Sequence, residues 1–265
     1  MQPLLNIAVR AARRAGEVIV RGMNRVQHLD VRAKGQNDFV TEIDLLAERE
    51  IIQTVRKHYP DHGILAEESG FSGDAEYIWV IDPLDGTTNY MHGFPQFAVS
   101  IAVQRRGRVE HGVVYDPLRQ ELFTASRGEG ALLDGRRIRV SGHLGLERAL
   151  IGTGFPYRSN LHWLDNYMGM FKAVTQQTAG IRRPGAAALD LAYVAAGRLD
   201  GFWEFGLAPW DTAAGTLLIT EAGGMVGTLA GGEYHQQGHI LAGTPKVYTA
   251  LLETLRPFVP EELRH

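Results

Sequence analysis

Trp79-Val80-Ile81-Asp82-Pro83-Leu84-Asp85-Gly86-Thr87-Thr88-Asn89 runs an apolar strand straight into two acidic residues, after which Gly86-Thr87-Thr88 opens a helical turn. The carboxylates of Asp82 and Asp85, with the Leu84 carbonyl between them, are the hard oxygen donors that Mg²⁺ prefers. The amides of Gly86 and Thr87, at a helix start, suit a phosphate group. A helix cap followed by a glycine turn needs only one of the two acids. Metal donors and an anion site therefore stand side by side in the chain.

Working outward, Ala66-Glu67-Glu68-Ser69 places two acids after a short predicted strand, Ile64–Ala66. Alone it reads as a solvated loop. Pro209-Trp210-Asp211 places an acid where a long helix begins, most simply as an N-cap. Lys34-Gly35-Gln36-Asn37-Asp38-Phe39-Val40-Thr41-Glu42-Ile43-Asp44 reads as a polar loop feeding a helix.

Apolar steps of three and four at Leu4, Ala8, Ala11, Ala15, Val18 and Gly22 predict an amphipathic first helix. Thr41 as N-cap, with Asp44 three residues on, opens a second whose Ile43, Ala47, Ile51 and Val55 share a face, and Pro60 ends it. From Phe97 to Val140 strands and turn signals alternate as an antiparallel meander. After Ser141-Gly142 strands and helices alternate: strands at Ala149–Gly152, Gly180–Arg183, Leu199–Glu204 and His239–Ala242. Helices are expected at Leu161–Thr175, Ala186–Ala196 and Pro209–Ala222, with a last one after Pro245. Ser141–Leu146 is the expected seam between two halves.

Composition narrows the function. A chain of 265 residues with 45% hydrophobic and 22% charged residues can bury a large core, as one domain or two sharing a cleft. Lys plus Arg number 27 against 30 Asp plus Glu, a formal charge of -3, so there is no direct nucleic-acid motif or basic footprint. Arg105-Arg106-Gly107-Arg108 and Arg136-Arg137-Ile138-Arg139 read as solvated turns and strand edges. With no cysteine, disulfides, iron–sulfur clusters, thiolate zinc sites and cysteine nucleophiles are excluded.

Arg10, Arg13 and Arg14 interrupt any signal-peptide core, and the longest uncharged stretch, Gly86–Gln104, is too polar for a membrane span. A cytoplasmic location is expected. His58 and His62 are separated by Pro60, and no zincin, nucleophile-elbow or Walker-type motif occurs. Gly152-Thr153-Gly154-Phe155 lacks the third glycine of a dinucleotide motif.

Together, Asp82–Asn89, Trp210-Asp211, Glu67-Glu68 and Lys34–Asp44 resemble, in order and separation, the motifs of the inositol monophosphatase family of metal-dependent sugar phosphatases. The resemblance runs from the first helix to the last. It implies an α+β fold, a layered αβαβα sandwich with mixed and antiparallel sheets, shared with fructose bisphosphatase. It also implies one domain over 1–265, with halves 1–141 and 142–265 sharing the active-site cleft.

The resemblance implies Mg²⁺-dependent hydrolysis of a small phosphate monoester, myo-inositol monophosphate above all, with two to three Mg²⁺ ions and inhibition by Li⁺. Glu67, Asp82 and the Leu84 carbonyl would hold one ion; Asp82, Asp85 and Asp211 would hold another. Thr87, hydrogen-bonded to Asp44, would help deprotonate the attacking water beside Glu67. Gly86 and Thr87 amides would hold phosphate, while Asp85, Ala187 and Glu204 would meet substrate hydroxyls. Lys34 and Asp38 would belong to a mobile loop closing over the metals. A homodimer is implied too.

Arg182-Arg183, Leu189–Gly197 and Glu204-Phe205-Gly206 are similar to a bacterial branch of the family. That branch is implied to act with RNA polymerase and Nus factors in ribosomal RNA transcription antitermination. One departure is Ala186, where the family usually has Ser or Thr.

Electrostatics supports bound cations. Carboxylates about 4 Å apart repel by about 4 kcal/mol at an effective dielectric near 20, and a few such pairs rival a fold's stability of about 5–15 kcal/mol. Rival readings are a haloacid-dehalogenase-type phosphatase, whose D-x-D-G-T motif is one residue shorter, and sister activities on fructose bisphosphate, a nucleotide bisphosphate or NADP.

Overall fold

In a computed structural model of the chain, residues 2–24, 31–35, 38–73, 75–156, 158–236 and 238–264 are described. The side chains of 31, 33–35, 38–39 and 158–159 lie outside that description. Helices α1 (Pro3–Met23) and α2 (Glu42–His58) flank a two-stranded antiparallel hairpin, β1 (Val31–Gly35) and β2 (Asp38–Thr41). The polar-loop expectation for Lys34–Asp44 is thus corrected at 34–35 and 38–41, where the backbone is paired, while 36–37 lie outside the described residues.

Two sheets follow. The larger contains β3 (Gly63–Ala66), β4 (Gly70–Ser72), β5 (Tyr77–Asp85), β6 (Ala98–Arg105), β7 (Arg108–Asp116), β8 (Glu121–Ser126), β9 (Gly130–Leu133) and β10 (Arg136–Arg137). Its order is β10-β9-β8-β7-β6-β5-β3-β4, with only β3 and β5 parallel. The smaller contains β11 (Leu150–Thr153), β12 (Gly180–Arg182), β13 (Gly201–Leu207), β14 (Met225–Thr228) and β15 (Gly238–Gly243). Its order is β12-β11-β13-β15-β14, and β11 runs parallel to both β12 and β13. The remaining helices are α3 (Thr87–Met91), α4 (Leu164–Thr175), α5 (Ala187–Ala195), α6 (Pro209–Glu221) and α7 (Pro245–Leu255).

Strand alternation sends successive side chains to opposite faces, and both faces of each sheet are apolar, so each sheet must be covered twice. On the large sheet Trp79, Ile81, Val99, Ile101 and Val103 pack under α1 and α2. Their neighbours Val80, Ala98 and Ala102 face the other way, joining Leu189, Leu191 and Val194 of α5 and Ala213, Ala214 and Leu218 of α6. The small sheet adds Phe202, Ile240 and Ala242 to that central core, while Trp203 and Leu241 turn outward to Tyr167 and Met170 of α4 and Val247 and Leu251 of α7. The layers run α1/α2, large sheet, α5/α6, small sheet, α4/α7: the αβαβα sandwich.

The first helix buries Ala8, Ala11, Ala15 and Gly22 of the expected stripe together with Leu5, Ile7, Ala12 and Ile19, while Leu4 and Val18 are partly buried against the same core. The predicted start of α4 at Leu161 is a 3-10 turn, and the regular helix begins at Leu164. Close approach of α6 to β7 depends on Gly112, where an added Cβ would stand 2.9 Å from the Ala214 carbonyl oxygen. Gly112→Val should therefore cost about 1–3 kcal/mol of unfolding free energy, the range for overpacked cores, read from urea melts. An unchanged midpoint would contradict this packing.

Candidate active site

Asp82 and Asp85 are three residues apart, and in a regular strand they would face opposite sides of the sheet. They do not, because β5 carries a bulge: Asp82 pairs with Ser100 and Asp85 with Ala98, three steps against two. The extra residue falls at Pro83-Leu84, where Pro83 has no N–H to give a ladder. The bulge brings both carboxylates to one cleft at the end of the strand. A second bulge, in β13 between Glu204 and Leu207, adjoins the same cleft from the small sheet.

Gly86 follows with φ 92°, a left-handed conformation that favours glycine, and a Cβ there would lie 2.8 Å from the Gln96 carbonyl oxygen. The chain turns there into α3, only five residues long. Asn89 on α3 donates through Nδ2 to the carbonyls of Gln96 and Pro184, each at 2.8 Å, tying this turn to the segment leading into α5.

Behind the cleft, Thr41 caps α2: its Oγ1 accepts from the Ile43 amide at 3.2 Å, and Asp44 Oδ2 accepts from the Thr41 amide at 2.8 Å. The other Asp44 oxygen accepts from Thr87 Oγ1 at 2.8 Å, and the Leu84 carbonyl lies 3.0 Å from the same hydroxyl. Burial pushes the fully buried Asp44 carboxyl above its ordinary range, opposed by the Thr41 and Thr87 hydrogen bonds.

The cleft encloses about 440 Å³ and is lined by Glu67, Asp82, Leu84, Asp85, Gly86, Thr87, Ala187, Glu204 and Asp211. Every expected metal or substrate residue is thus on its wall, with Asp44 behind Thr87. Lys34 and Asp38 stand on β1 and β2; their side chains, and residues 36–37 between the strands, lie outside the described residues. Asp211 is not the N-cap expected of it. It is the third residue of α6, and its Oδ2 accepts from the Ala208 amide at 2.7 Å.

Each acid of the central trio leans on a backbone amide. Asp82 Oδ1 accepts from Leu84 N at 3.0 Å, and Asp85 Oδ2 accepts from Ala188 N at 2.7 Å. Asp85 thereby caps α5, whose own N-cap residue, Ala186, has no hydroxyl to do so. Burial first, then the charges of Glu67, Asp85 and Asp211, pushes Asp82 well above the usual carboxylate range; burial and Asp211 do the same to Asp85. Burial, with Asp211 adding, pushes Glu204 up to about 8.

This is an acid-rich site with an all-oxygen donor set, which suits a hard divalent cation. Among the described residues no three acids already close on one point as a finished ligand set.

Arg183 and Phe155 also line the cleft, and sequence reasoning gave them no part in it. The doubled arginine at 182–183 was visible, but its orientation depends on Asn89 holding the Pro184 carbonyl.

The model of the family described as "Inositol monophosphatase family" matches residues 1–260. The chain belongs to the inositol monophosphatase family. It is 59% identical over 270 residues to "Nus factor SuhB" of Pseudomonas aeruginosa, covering 100% of both chains. A crystal structure of the extragenic suppressor protein SuhB from Bartonella henselae superposes with TM-score 0.93 at 44% identity, covering 96% of this chain and 99% of that one. The IMPase of Thermotoga maritima superposes with TM-score 0.89 at 35% identity, covering 99% and 100%. Family membership makes the chain a phosphatase of a generally Mg²⁺-dependent family. No helix among the described residues is long and apolar enough to cross a membrane.

Asp44→Ala removes the carboxylate that accepts from the α2 N-cap amide and should lower unfolding free energy by about 0.5–2 kcal/mol in urea. Thr87→Val, which leaves that cap in place, should cost less. Equal losses would show that the cap is not what Asp44 contributes.

Proposed function

We propose that the chain is a Mg²⁺-dependent phosphatase that hydrolyses myo-inositol monophosphate and related small phosphate monoesters by direct attack of water. The observation that carries this is the convergence on one cleft of Glu67, Asp82, Asp85 and Asp211, with the Thr87–Asp44 hydrogen bond at its wall. Two to three Mg²⁺ ions would be held by Glu67, Asp82, the Leu84 carbonyl, Asp85 and Asp211. When bound, Mg²⁺ lowers the pKa of water and neutralises charge developing on the leaving oxygen.

The chain's own groups do the rest. Thr87 Oγ1, with its proton directed at Asp44 Oδ1, keeps lone pairs for the proton of an incoming water and can pass its own proton to Asp44. Burial of Asp44 raises its proton affinity, which favours that transfer. The amides of Gly86 and Thr87 hold phosphate oxygens; α3 is too short for its dipole to matter, so the individual N–H groups do the holding. The Ala187 backbone, Asp85 and Glu204 face the substrate hydroxyls. A hydroxyl in place of Ala186, the buried N-cap residue of α5, could cap that helix but would add no metal ligand.

Phosphate release from inositol 1-phosphate is expected to require Mg²⁺, to stop on chelation and to resume on readdition. Millimolar Li⁺ should inhibit it. Asp82→Asn and Asp211→Asn should each lower kcat/KM at least about 100-fold, as loss of a transition-state-stabilising group does, with the circular dichroism spectrum unchanged. Hydrolysis that persists in chelator, or a trapped aspartyl phosphate, would refute the proposal. Fructose bisphosphate, a nucleotide bisphosphate and NADP are the sister substrates to assay alongside.

A second reading rests on the full-length relative from Pseudomonas aeruginosa, Nus factor SuhB. In it the chain, as a cytoplasmic homodimer or its monomer, joins RNA polymerase and Nus factors in ribosomal RNA transcription. The two readings are separable: an Asp85→Asn protein without turnover should still co-purify with the Nus complex. Loss of both together would tie the partner role to the cleft.

A further inference from the structure

Five acids line the cleft: Glu67, Asp82, Asp85, Glu204 and Asp211. Against them, Arg183 is the one basic residue on the wall among the described residues. Its guanidinium lies over the ring of Phe155, 5.3 Å from the centroid, and Phe155 is itself 43% exposed at the rim. No hydrogen bond or ion pair engages the Arg183 side chain among the described residues, so its five N–H donors are not used up by the protein.

The placement is built rather than incidental. Asn89 Nδ2 holds the carbonyl of Pro184, the residue after Arg183. Gly185 keeps the space beside it clear: a Cβ there would lie 2.8 Å from Arg183 Nη1. Gly185 also has φ 87°, so a larger residue is disfavoured twice. The guanidinium field reaches inward, acting on Glu204, Asp190 and Tyr167.

We propose that Arg183 on its Phe155 platform is a second anion subsite, which takes an additional acidic group, phosphate or carboxylate, carried by the alcohol part of the substrate. The inference rests on the reading of the cleft as a phosphatase site. A planar guanidinium with unused donors matches an oxyanion in bidentate fashion, and an aromatic face beneath it holds its orientation. The acidic wall would otherwise repel a second negative charge. The neutral hydroxyls of inositol need only the Glu204 side of the cleft, so a neutral alcohol should be indifferent to Arg183.

The test compares wild type, Arg183→Gln, Arg183→Lys and Phe155→Ala at saturating Mg²⁺. The esters are inositol 1-phosphate, inositol 1,4-bisphosphate and 2-phosphoglycerate, the last two separating phosphate from carboxylate recognition. Loss of a charged hydrogen-bonded contact predicts that Arg183→Gln raises KM about 10- to 100-fold for at least one doubly acidic ester. The kcat/KM for inositol 1-phosphate should change less than about 3-fold. Arg183→Lys should recover part of the loss through charge alone, and Phe155→Ala should show a smaller loss of the same selectivity.

A merely structural Arg183 would lower rates for all esters alike, and that result would overturn the subsite. Were no ester hydrolysed by wild type, the phosphatase reading itself would fall. Calorimetric binding of inositol 1,4-bisphosphate and 2-phosphoglycerate to wild type and Arg183→Gln would then decide the subsite separately. Equal affinities for both ligands overturn it, and weaker binding by Arg183→Gln of either one sustains it.

Discussion

Confinement of like charge organises this molecule. Glu67, the Asp82–Asp85 pair and Asp211 come from three separate stretches of the chain, and nothing about four carboxylates favours their meeting. What holds three of them is a set of backbone amides, at Leu84, Ala188 and Ala208, each fixed within or beside an element that the core immobilises. An amide hydrogen bond stabilises the ionised acid while repulsion from its neighbours opposes it. The cleft is therefore a place where folding energy is stored as charge proximity.

The five layers explain how that storage is supported. β5 and β6 are central strands of the large sheet, apolar on both faces, so the end of β5 cannot shift without disturbing two cores at once. α5 and α6 lie between the sheets, and their first residues reach the same cleft. Asp85 to Ala188 spans 103 positions of sequence, and Asn89 to Pro184 spans 95. The end of β5 and α3 are thus tied to the start of α5 at the site by polar contacts, while elsewhere the layers meet through the central apolar cluster.

Much of this was legible from residues alone, and the failures have physical causes. The Thr41–Asp44 capping box is an interaction across three residues, so its signature sits intact in the chain, as do the apolar faces of α1 and α2. Asp211 reads as a cap in the sequence because an acid beside a helix start looks the same at the cap or the third position; Pro209, which sets the start, is the discriminating residue. In the hairpin β1–β2 alternation is confined to the four residues Val31-Arg32-Ala33-Lys34, too short to stand out, and its pairing is a backbone matter that composition does not express. The bulge in β5 is hinted at only by Pro83, since two strands must be compared before an extra residue becomes visible. Arg183 shows the same limit: its neighbour in sequence, Arg182, points its donors to the Ile181 carbonyl instead.

Asp44 has a consequence for how such a protein can change. One of its oxygens accepts from the N-cap amide of a seventeen-residue helix, and the other accepts from the Thr87 hydroxyl, which under the proposed function stands beside the attacking water. Selection acting on catalysis and selection acting on thermal robustness thus meet in a single codon. A lineage that abandoned turnover and kept only a scaffolding task would still have reason to retain this aspartate, so its persistence in a sequence cannot by itself testify that the chemistry survives.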